Sequence, residues 1–212
     1  QVNPYLPLCT TDKNLSLMVE GVIRRQSRNI LLDSYANAFY KDEKKISEWK
    51  NDKTDMKPGV HERKWELDSL CYCIRLAYQY WKITGNEKMF DDVWLRAMQL
   101  AVATMKEQQR KNGNGSYHFQ RPGGGRDTLP NDGYGRPVKY NGMICSAFRN
   151  SDDACEYLYN IPENIFAVTA LRMLAEILQQ TKKDETLAKQ CLSLADEVEQ
   201  AVKQNGITTH AQ

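Results

Sequence analysis

The sequence predicts an all-α protein, a toroid of helical hairpins with one long ordered loop. Two observations predict this fold. Apolar residues return with a period near 3.6 in five segments, and short turns join four of these segments into two pairs. Helices joined by short turns are antiparallel neighbours, and hairpins whose helices alternate between an inner and an outer layer form a toroid. No convincing array of strands is evident.

The first three helices are expected at 12–32, 65–84 and 91–111, where apolar side chains recur on one side of each segment. Gly85 follows the second segment, and glycine is typical of the position that ends a helix. Only a short turn separates 65–84 from 91–111, so these two segments are predicted to form the first hairpin.

The second hairpin is expected at 161–181 and 183–205. The segment 161–181 is apolar around much of its circumference, which is typical of a helix buried on more than one side. The segment 183–205 is apolar on one side only, and Gly206 follows it. We therefore expect 161–181 in the inner layer and 183–205 in the outer layer.

Two linkers interrupt this pattern. The segment 41–60 is polar and charged, and we expect an exposed excursion there. The segment 112–160 is rich in glycine, yet it also carries aromatic and apolar residues such as Tyr117 and Phe148. A loop of this length inside a compact domain is usually functional or disordered, and its apolar content argues against disorder. We therefore predict an ordered loop over one end of the helices.

Composition excludes several classes of function. The 212 residues carry 29 Lys and Arg against 27 Asp and Glu, so the net charge of +2 predicts no affinity for nucleic acid or anionic membrane. No apolar run reaches about 18 residues, so no membrane span is expected. The histidines lack metal-ligand spacing and the six cysteines form no C-x-x-C pair, so free thiols and no metal or cofactor are expected. The compartment and the oligomeric state stay open.

Two adjacent aspartates, Asp152 and Asp153, follow Arg149 and Ser151 at the end of the long loop. One interpretation is a helix N-terminal device, since carboxylates stabilise the positive end of the helix dipole. A second is a magnesium site, because DDACE at 152–156 formally matches the aspartate-rich motif of terpenoid synthases. That site needs both carboxylates on one face of a helix.

A third interpretation is general acid catalysis on a glycoside. Protonation of a leaving sugar oxygen needs a carboxylic acid that keeps its proton near neutral pH. A neighbouring carboxylate such as Asp153 can raise the pKa of Asp152 by repulsion between like charges. A guanidinium such as Arg149 can hold the ionised partner or a sugar hydroxyl. The residues alone leave all three interpretations open.

Long motifs throughout the chain resemble glycoside hydrolase family 125. They are QVNPYLPL at 1–8, YANAFY at 35–40, HERKWELDSLCYCIRLAYQYW at 61–81 and DTLPNDGYGRPVKYNGMICSAFRNSDDACEYLYNIPENIFAV at 127–168. The resemblance implies an (α/α)6 barrel and a metal-independent exo-α-1,6-mannosidase that inverts the anomeric centre. It also implies a mannose-containing oligosaccharide as substrate.

The resemblance implies that an aspartate of the S-D-D motif is the general acid, and Asp152 is favoured over Asp153. The family usually has proline where this chain has Asn150 and Cys73. Family members are about twice as long, so 1–212 is expected to be a single, truncated catalytic domain whose base lies outside it. The alternative is a non-catalytic carbohydrate-binding or scaffold fragment of such a barrel.

Five further residues are candidates for substrate binding. Glu62, Glu66 and Asp68 precede or begin a predicted helix, where they either solubilise and cap it or hold sugar hydroxyls. Trp65 is either a core residue or a platform on which a sugar stacks. Arg121, in the long loop 112–160, is expected to reach the pocket rim together with Arg149 and the acidic pair.

Overall fold

The computed structural model describes residues 2–181 and 183–208. Within these residues the fold consists mainly of five α-helices, preceded by a 3₁₀ helix at Asn3–Thr10. The α-helices are α1 (Lys13–Leu32), α2 (Leu67–Thr84), α3 (Asp92–Gln108), α4 (Ile161–Gln180) and α5 (Glu185–Asn205). The all-α prediction is confirmed, and each helix overlaps its predicted segment.

Side-chain caps explain where three of the helices begin. Asp12, Asp91 and Asp184 precede α1, α3 and α5, and each carboxylate accepts a hydrogen bond from a backbone N–H of the first turn. Such a cap stabilises a helix by about 1 kcal/mol. At the other end of α2, Gly85 adopts a left-handed conformation with φ of 68°, as predicted for a residue that ends a helix.

Short elements that the periodicity did not predict lie before α2. Strand β1 (Ala38–Phe39) pairs antiparallel with strand β2 (Val60–Glu62). Strands of two and three residues are too short to show a period. Helix α2 also begins two residues later than predicted, because the backbone at Glu66 is extended and the carbonyl of Trp65 accepts hydrogen bonds from the N–H groups of Ala147 and Phe148.

The helices pack in two layers. Helix α4 packs against both α5 and α2, so the predicted second hairpin is confirmed and α4 is an inner helix. The first predicted hairpin differs from expectation, since α3 packs mainly against α1 and only slightly against α2. Three large aromatic rings lie between these two helices, those of Trp81, Phe90 and Trp94. The ring centroid of Phe90 lies 6.3 Å from that of Trp81 and 4.5 Å from that of Trp94.

The segment 109–160 connects α3 to α4 and contains no helix and no strand, only isolated bridges. It is nevertheless anchored in the core, since the aromatic rings of Tyr117, Phe119 and Phe148 are fully buried. The predicted ordered loop is confirmed. We call this segment the long loop.

The long loop lies over one end of the helices. The backbone N–H of Leu67, the first residue of α2, donates to Ser146 Oγ at 3.1 Å. The N–H of Ile144 donates to Oδ1 of Asn164, in the first turn of α4, at 2.8 Å. The last turn of α3 joins the same end, because the carbonyl of Gln108 accepts from the loop. The N-terminal ends of α2 and α4 therefore face this loop.

Two predictions made from the composition, free thiols and no membrane span, can also be compared with the structure. All six cysteines are free thiols, and five of them are buried. Among the residues that the structure describes, no helix is both long and apolar enough to cross a membrane.

Candidate active site

The acidic pair lies at the tip of a tight hairpin within the long loop. Phe148 and Ala154 form an antiparallel bridge at the base of this hairpin. At its tip, the N–H of Arg149 donates to the carbonyl of Asp153 at 3.0 Å, and the N–H of Asp152 donates to the carbonyl of Arg149 at 2.8 Å. The segment 149–153 is therefore a closed turn that presents its side chains outward.

This geometry contradicts two of the three interpretations of the acidic pair. The next helix, α4, begins only at Ile161 and its N-cap position is Asn160, so the aspartates do not cap it. The segment 152–156 forms a turn and a bridge instead of a helix, so its carboxylates cannot share a helix face as the terpenoid-synthase motif requires. Pro162, at the start of α4, favours the later helix start.

Asp152 is held at its backbone, and its side chain is largely exposed. Its φ of 66° lies in the left-handed region, which few residues other than glycine adopt. Its carbonyl accepts a hydrogen bond from Lys64 Nζ at 3.1 Å. Its carboxylate is 60% exposed and accepts from Nδ2 of Asn37 at 3.4 Å. The carboxylate can therefore reach a ligand from a fixed backbone position.

Asp153 faces a different space from Asp152. Its carboxylate accepts a hydrogen bond from Ser151 Oγ at 3.2 Å. It lines a groove of about 430 Å³ together with Arg149 and two further arginines. The other residues of this groove are Arg126, Thr128, Pro130, Arg136, Ala154, Cys155 and Glu156. Asp153 and Arg149 thus line one open groove.

A second cavity, of about 300 Å³, lies between α1 and the first turns of α2. Asn37, which contacts the Asp152 carboxylate, lines it, and so does Ser69, whose hydroxyl donates to Oε2 of Glu66 at 3.0 Å. Asn29 and Asp33 add polar groups to the lining. A cavity of this size, with several polar groups in a partly apolar lining, can hold a small polar ligand.

Arg121 is buried in a network of charges. Its side chain is 8% exposed, and it pairs with Asp52 at 2.6 Å and with Glu62 at 2.9 Å. Burial acts to lower the pKa of Arg121, but the hydrogen bonds to Asp52 and Glu62 raise it above its usual value. The guanidinium also lies over the ring of Trp49, 3.9 Å from its centroid. The guanidinium of Arg121 therefore binds other side chains of the protein. It does not lie at the pocket rim, where it was expected from the sequence.

Lys64 connects this network to the acidic pair. It is 2% exposed, and its Nζ lies 3.4 Å from Glu62 Oε1 and 3.5 Å from Asp127 Oδ1, in addition to its contacts with Asp152. A buried lysine is rare unless its charge is paired. Lys64 was not among the residues predicted for the site. Other charged residues surround Lys64 in the sequence, and a charged stretch of this kind does not indicate that a lysine is buried.

A group of buried carboxylates lies at the N-terminal ends of α2 and α4. Glu66, Asp68 and Glu163 are 6–8% exposed. Burial, supported by the nearby charges of Asp68 and Asp152, raises the pKa of Glu66 to about 7, although the hydrogen bond from Ser69 acts to lower it. Burial likewise raises the pKa of Glu163 to about 7 and that of Asp68 above its usual value. Glu163 was not predicted as a site residue, although it lies within the motif at 127–168.

Trp65 belongs to the core. It is 1% exposed, and its indole N–H donates to the carbonyl of Cys145 at 2.7 Å. The edge of its ring meets Tyr35, with centroids 5.3 Å apart. Of the two interpretations in the sequence analysis, this burial favours the core residue, because no face of the ring is open to a sugar.

A sequence model of the family described as metal-independent α-mannosidase (GH125) matches residues 1–212. This chain belongs to glycoside hydrolase family 125. The match spans the whole sequence, including the long loop and both aspartates, so the family assignment that the motifs indicated is confirmed.

Two relatives place this GH125 chain more closely. It is 34% identical to the meiotically up-regulated gene 157 protein of Schizosaccharomyces pombe, over 99% of this chain and 44% of that protein. It also superimposes with a TM-score of 0.93, at 37% identity, on a Streptococcus pneumoniae metal-independent α-mannosidase solved in a non-productive complex with α-1,6-mannobiose. That match covers 98% of this chain and 49% of the solved chain. The chain thus spans about half the length of these relatives.

The likeness to the S. pneumoniae structure supports the (α/α)6 fold of this GH125 chain, of which the five α-helices form a part. Within residues 2–181 and 183–208, no group of three or more His, Cys, Asp or Glu side chains is arranged to hold a metal ion. The chemistry that the described residues offer is that of carboxylates, guanidinium groups and amides around the Asp152 turn.

Proposed function

We propose that the protein containing this chain hydrolyses terminal α-1,6-linked mannose from mannose-containing oligosaccharides. We further propose an inverting mechanism that uses no metal ion or cofactor. Family membership and the S. pneumoniae relative, whose solved complex holds α-1,6-mannobiose, support the substrate class. The linkage and the stereochemistry come from the family and are part of the proposal.

The position of Asp152 carries the proposal. Its carboxylate is largely exposed, while Lys64 holds the carbonyl of the same residue at 3.1 Å. It also contacts Asn37, which lines the 300 Å³ cavity between α1 and α2. A general acid must stand within hydrogen-bond reach of the leaving oxygen in a fixed geometry. We assign this role to Asp152.

Asp153 and Arg149 have a supporting role in this proposal. Both line the 430 Å³ groove on the other side of the turn. We propose that this groove receives the part of the glycan that leaves, with Arg149 donating to its hydroxyl groups. The mannose that is released would occupy the cavity beside Asn37, between α1 and α2. In an inverting enzyme the base carboxylate lies about 6.5–9.5 Å from the acid, with a water molecule between them.

The test is a proton NMR time course of the full-length protein with α-1,6-mannobiose, and with the α-1,2 and α-1,3 isomers as controls. We expect cleavage of the α-1,6 isomer, release of β-mannose as the first-formed anomer, and the same rate in the presence of EDTA. First release of α-mannose would show retention and overturn the mechanism. Absence of cleavage of all three isomers would overturn the proposed activity.

A further inference from the structure

Lys64 makes an unusual set of contacts for a lysine. Its ammonium group is buried and lies within 4 Å of oxygens from three carboxylates, those of Glu62, Asp127 and Asp152. The shortest of its contacts, at 3.1 Å, is to the main-chain carbonyl of Asp152. The lysine is therefore directed at the backbone of the proposed acid as well as at its charge.

Lys64 shares the other two carboxylates with Arg121, whose main partner is Asp52. Arg121 already lies 2.9 Å from Glu62 and 3.6 Å from Asp127. The Asp127 side chain is also 40% exposed, so water can solvate it. Among the described residues, Lys64 is the only cation within 4 Å of the Asp152 carboxylate, and it also binds the carbonyl of Asp152.

The backbone at Asp152 needs support. Its left-handed conformation is unfavourable for a residue with a side chain, and it persists only where the surroundings hold it. The bond from Lys64 Nζ to the carbonyl supplies one such restraint. Asn37 supplies another, because its Oδ1 accepts from the N–H of Lys64 at 3.1 Å and its Nδ2 donates to the Asp152 carboxylate at 3.4 Å.

We propose that Lys64 is a positioning residue for general acid catalysis, which it serves by holding the left-handed turn at Asp152, with Asn37 as a second restraint. The inference rests on the proposed function, since it gives Lys64 a role through Asp152. Lys64 is too deeply buried to touch a substrate itself. Its loss is expected to affect the protonation step far more than the binding of the sugar.

The test compares variants of the full-length protein on α-1,6-mannobiose and on a dinitrophenyl α-mannoside. A dinitrophenolate leaves with little help from an acid, whereas mannose does not. General acid catalysis contributes about 10²–10⁴-fold to rate, and a misplaced acid forfeits part of that. We expect Lys64→Met to lower kcat about 10- to 100-fold on the mannobiose and less than about three-fold on the aryl mannoside, with KM nearly unchanged.

Lys57→Met is the matched control. Lys57 Nζ donates to the main-chain carbonyl of Leu32 at 2.9 Å and lies 3.4 Å from Asp33 Oδ2, so it makes the same kinds of contact without touching Asp152. In this variant the ratio of kcat on the mannobiose to kcat on the aryl mannoside should stay at the wild-type value. A double variant adds a further check, because Lys64→Met should not change the ratio once Asp152→Asn has removed the acid.

An equal loss on both substrates in Lys64→Met, or no loss, overturns the positioning role. If this variant does not fold, Lys64→Gln decides in its place, because the shorter amide side chain withdraws the charge and the bond to the Asp152 carbonyl, and it should show the same selective loss on the mannobiose. A wild-type protein that cleaves neither substrate refutes the proposed function itself. Wild-type activity combined with an unchanged ratio in the deciding variant refutes only the inference about Lys64.

Discussion

Arg121 and Asp52 form a two-point ion pair in the interior of the protein. Nε of Arg121 lies 3.0 Å from Oδ1 of Asp52, and Nη2 lies 2.6 Å from Oδ2. The two side chains are 8% and 2% exposed. The pair joins the segment 41–60, expected from the sequence to be an exposed excursion, to the long loop that carries the proposed acid. This part of 41–60 is therefore buried, although most of the segment is exposed.

Removal of one partner of this pair should be strongly destabilising. Asp52→Asn leaves the buried guanidinium of Arg121 without its main counter-charge, and breaking a buried pair in this way costs about 3–5 kcal/mol. The matched control is Asp196→Asn, which removes an exposed partner of Arg172 and should cost at most about 1 kcal/mol. Denaturant titration measures both free energies of unfolding. Equal losses in the two variants would contradict the buried network.

The buried carboxylates predict a dependence of stability on pH. The folded protein holds the protons of Glu66 and Glu163 more tightly than the unfolded chain does, since both pKa values are raised from 4.5 to about 7. The free energy of unfolding should therefore fall as the pH rises from about 4.5 to about 7. Each group contributes on the order of 1–3 kcal/mol to this fall.

Glu163→Gln should make the free energy of unfolding fall less as the pH rises, because an amide does not ionise. The variant should be more stable than the wild type at pH 8 and close to it at pH 5. The exposed Glu87 offers a control, and Glu87→Gln should follow the wild-type curve. Thermal unfolding at a series of pH values measures the effect. A Glu163→Gln curve parallel to that of the wild type would count against a raised pKa at this site.

Gly133 is needed where two parts of the long loop approach each other. A Cβ at this position would lie 2.7 Å from the backbone nitrogen of Phe119, and φ is 88°. Gly123 also has a positive φ, of 70°, but nothing lies within 4 Å of a Cβ there. Gly133→Ala should therefore destabilise the protein by about 1–3 kcal/mol more than Gly123→Ala does. Similar losses would show that the contact with Phe119 relaxes freely.

The helices could be predicted because apolar periodicity located each segment and Gly85 marked the end of one of them. The caps at Asp12 and Asp91 explain why two of these helices begin where they do. Neighbour relations were harder to predict, because a short turn does not determine how far apart two helices lie. Side-chain size decides that distance, and the rings between α2 and α3 leave α3 to pack mainly against α1.

The candidate site could be predicted only in part. Asp152, Asp153 and Arg149 carry a recognisable motif, so the sequence located the turn that holds them. Lys64 and Asp152 are 88 residues apart in the chain, and no local pattern indicates that they meet. The roles of the charged residues at 62–68 also depend on burial. The sequence did not show that the Trp65 ring would be fully enclosed while the carboxylate of Asp152 stays accessible.

The role of Asp152 as proton donor is the central claim, and the dependence on leaving group tests it most directly. In the full-length protein, Asp152→Asn should lower the rate about 10²–10⁴-fold on α-1,6-mannobiose and far less on a dinitrophenyl α-mannoside, with the fold intact by circular dichroism. Asp153→Asn, the matched control from the same turn, should affect both substrates to a similar extent. If the activated substrate rescues only Asp153→Asn, the two roles are exchanged. If it rescues neither variant, the acidic pair does not supply the proton and the account of this site is wrong.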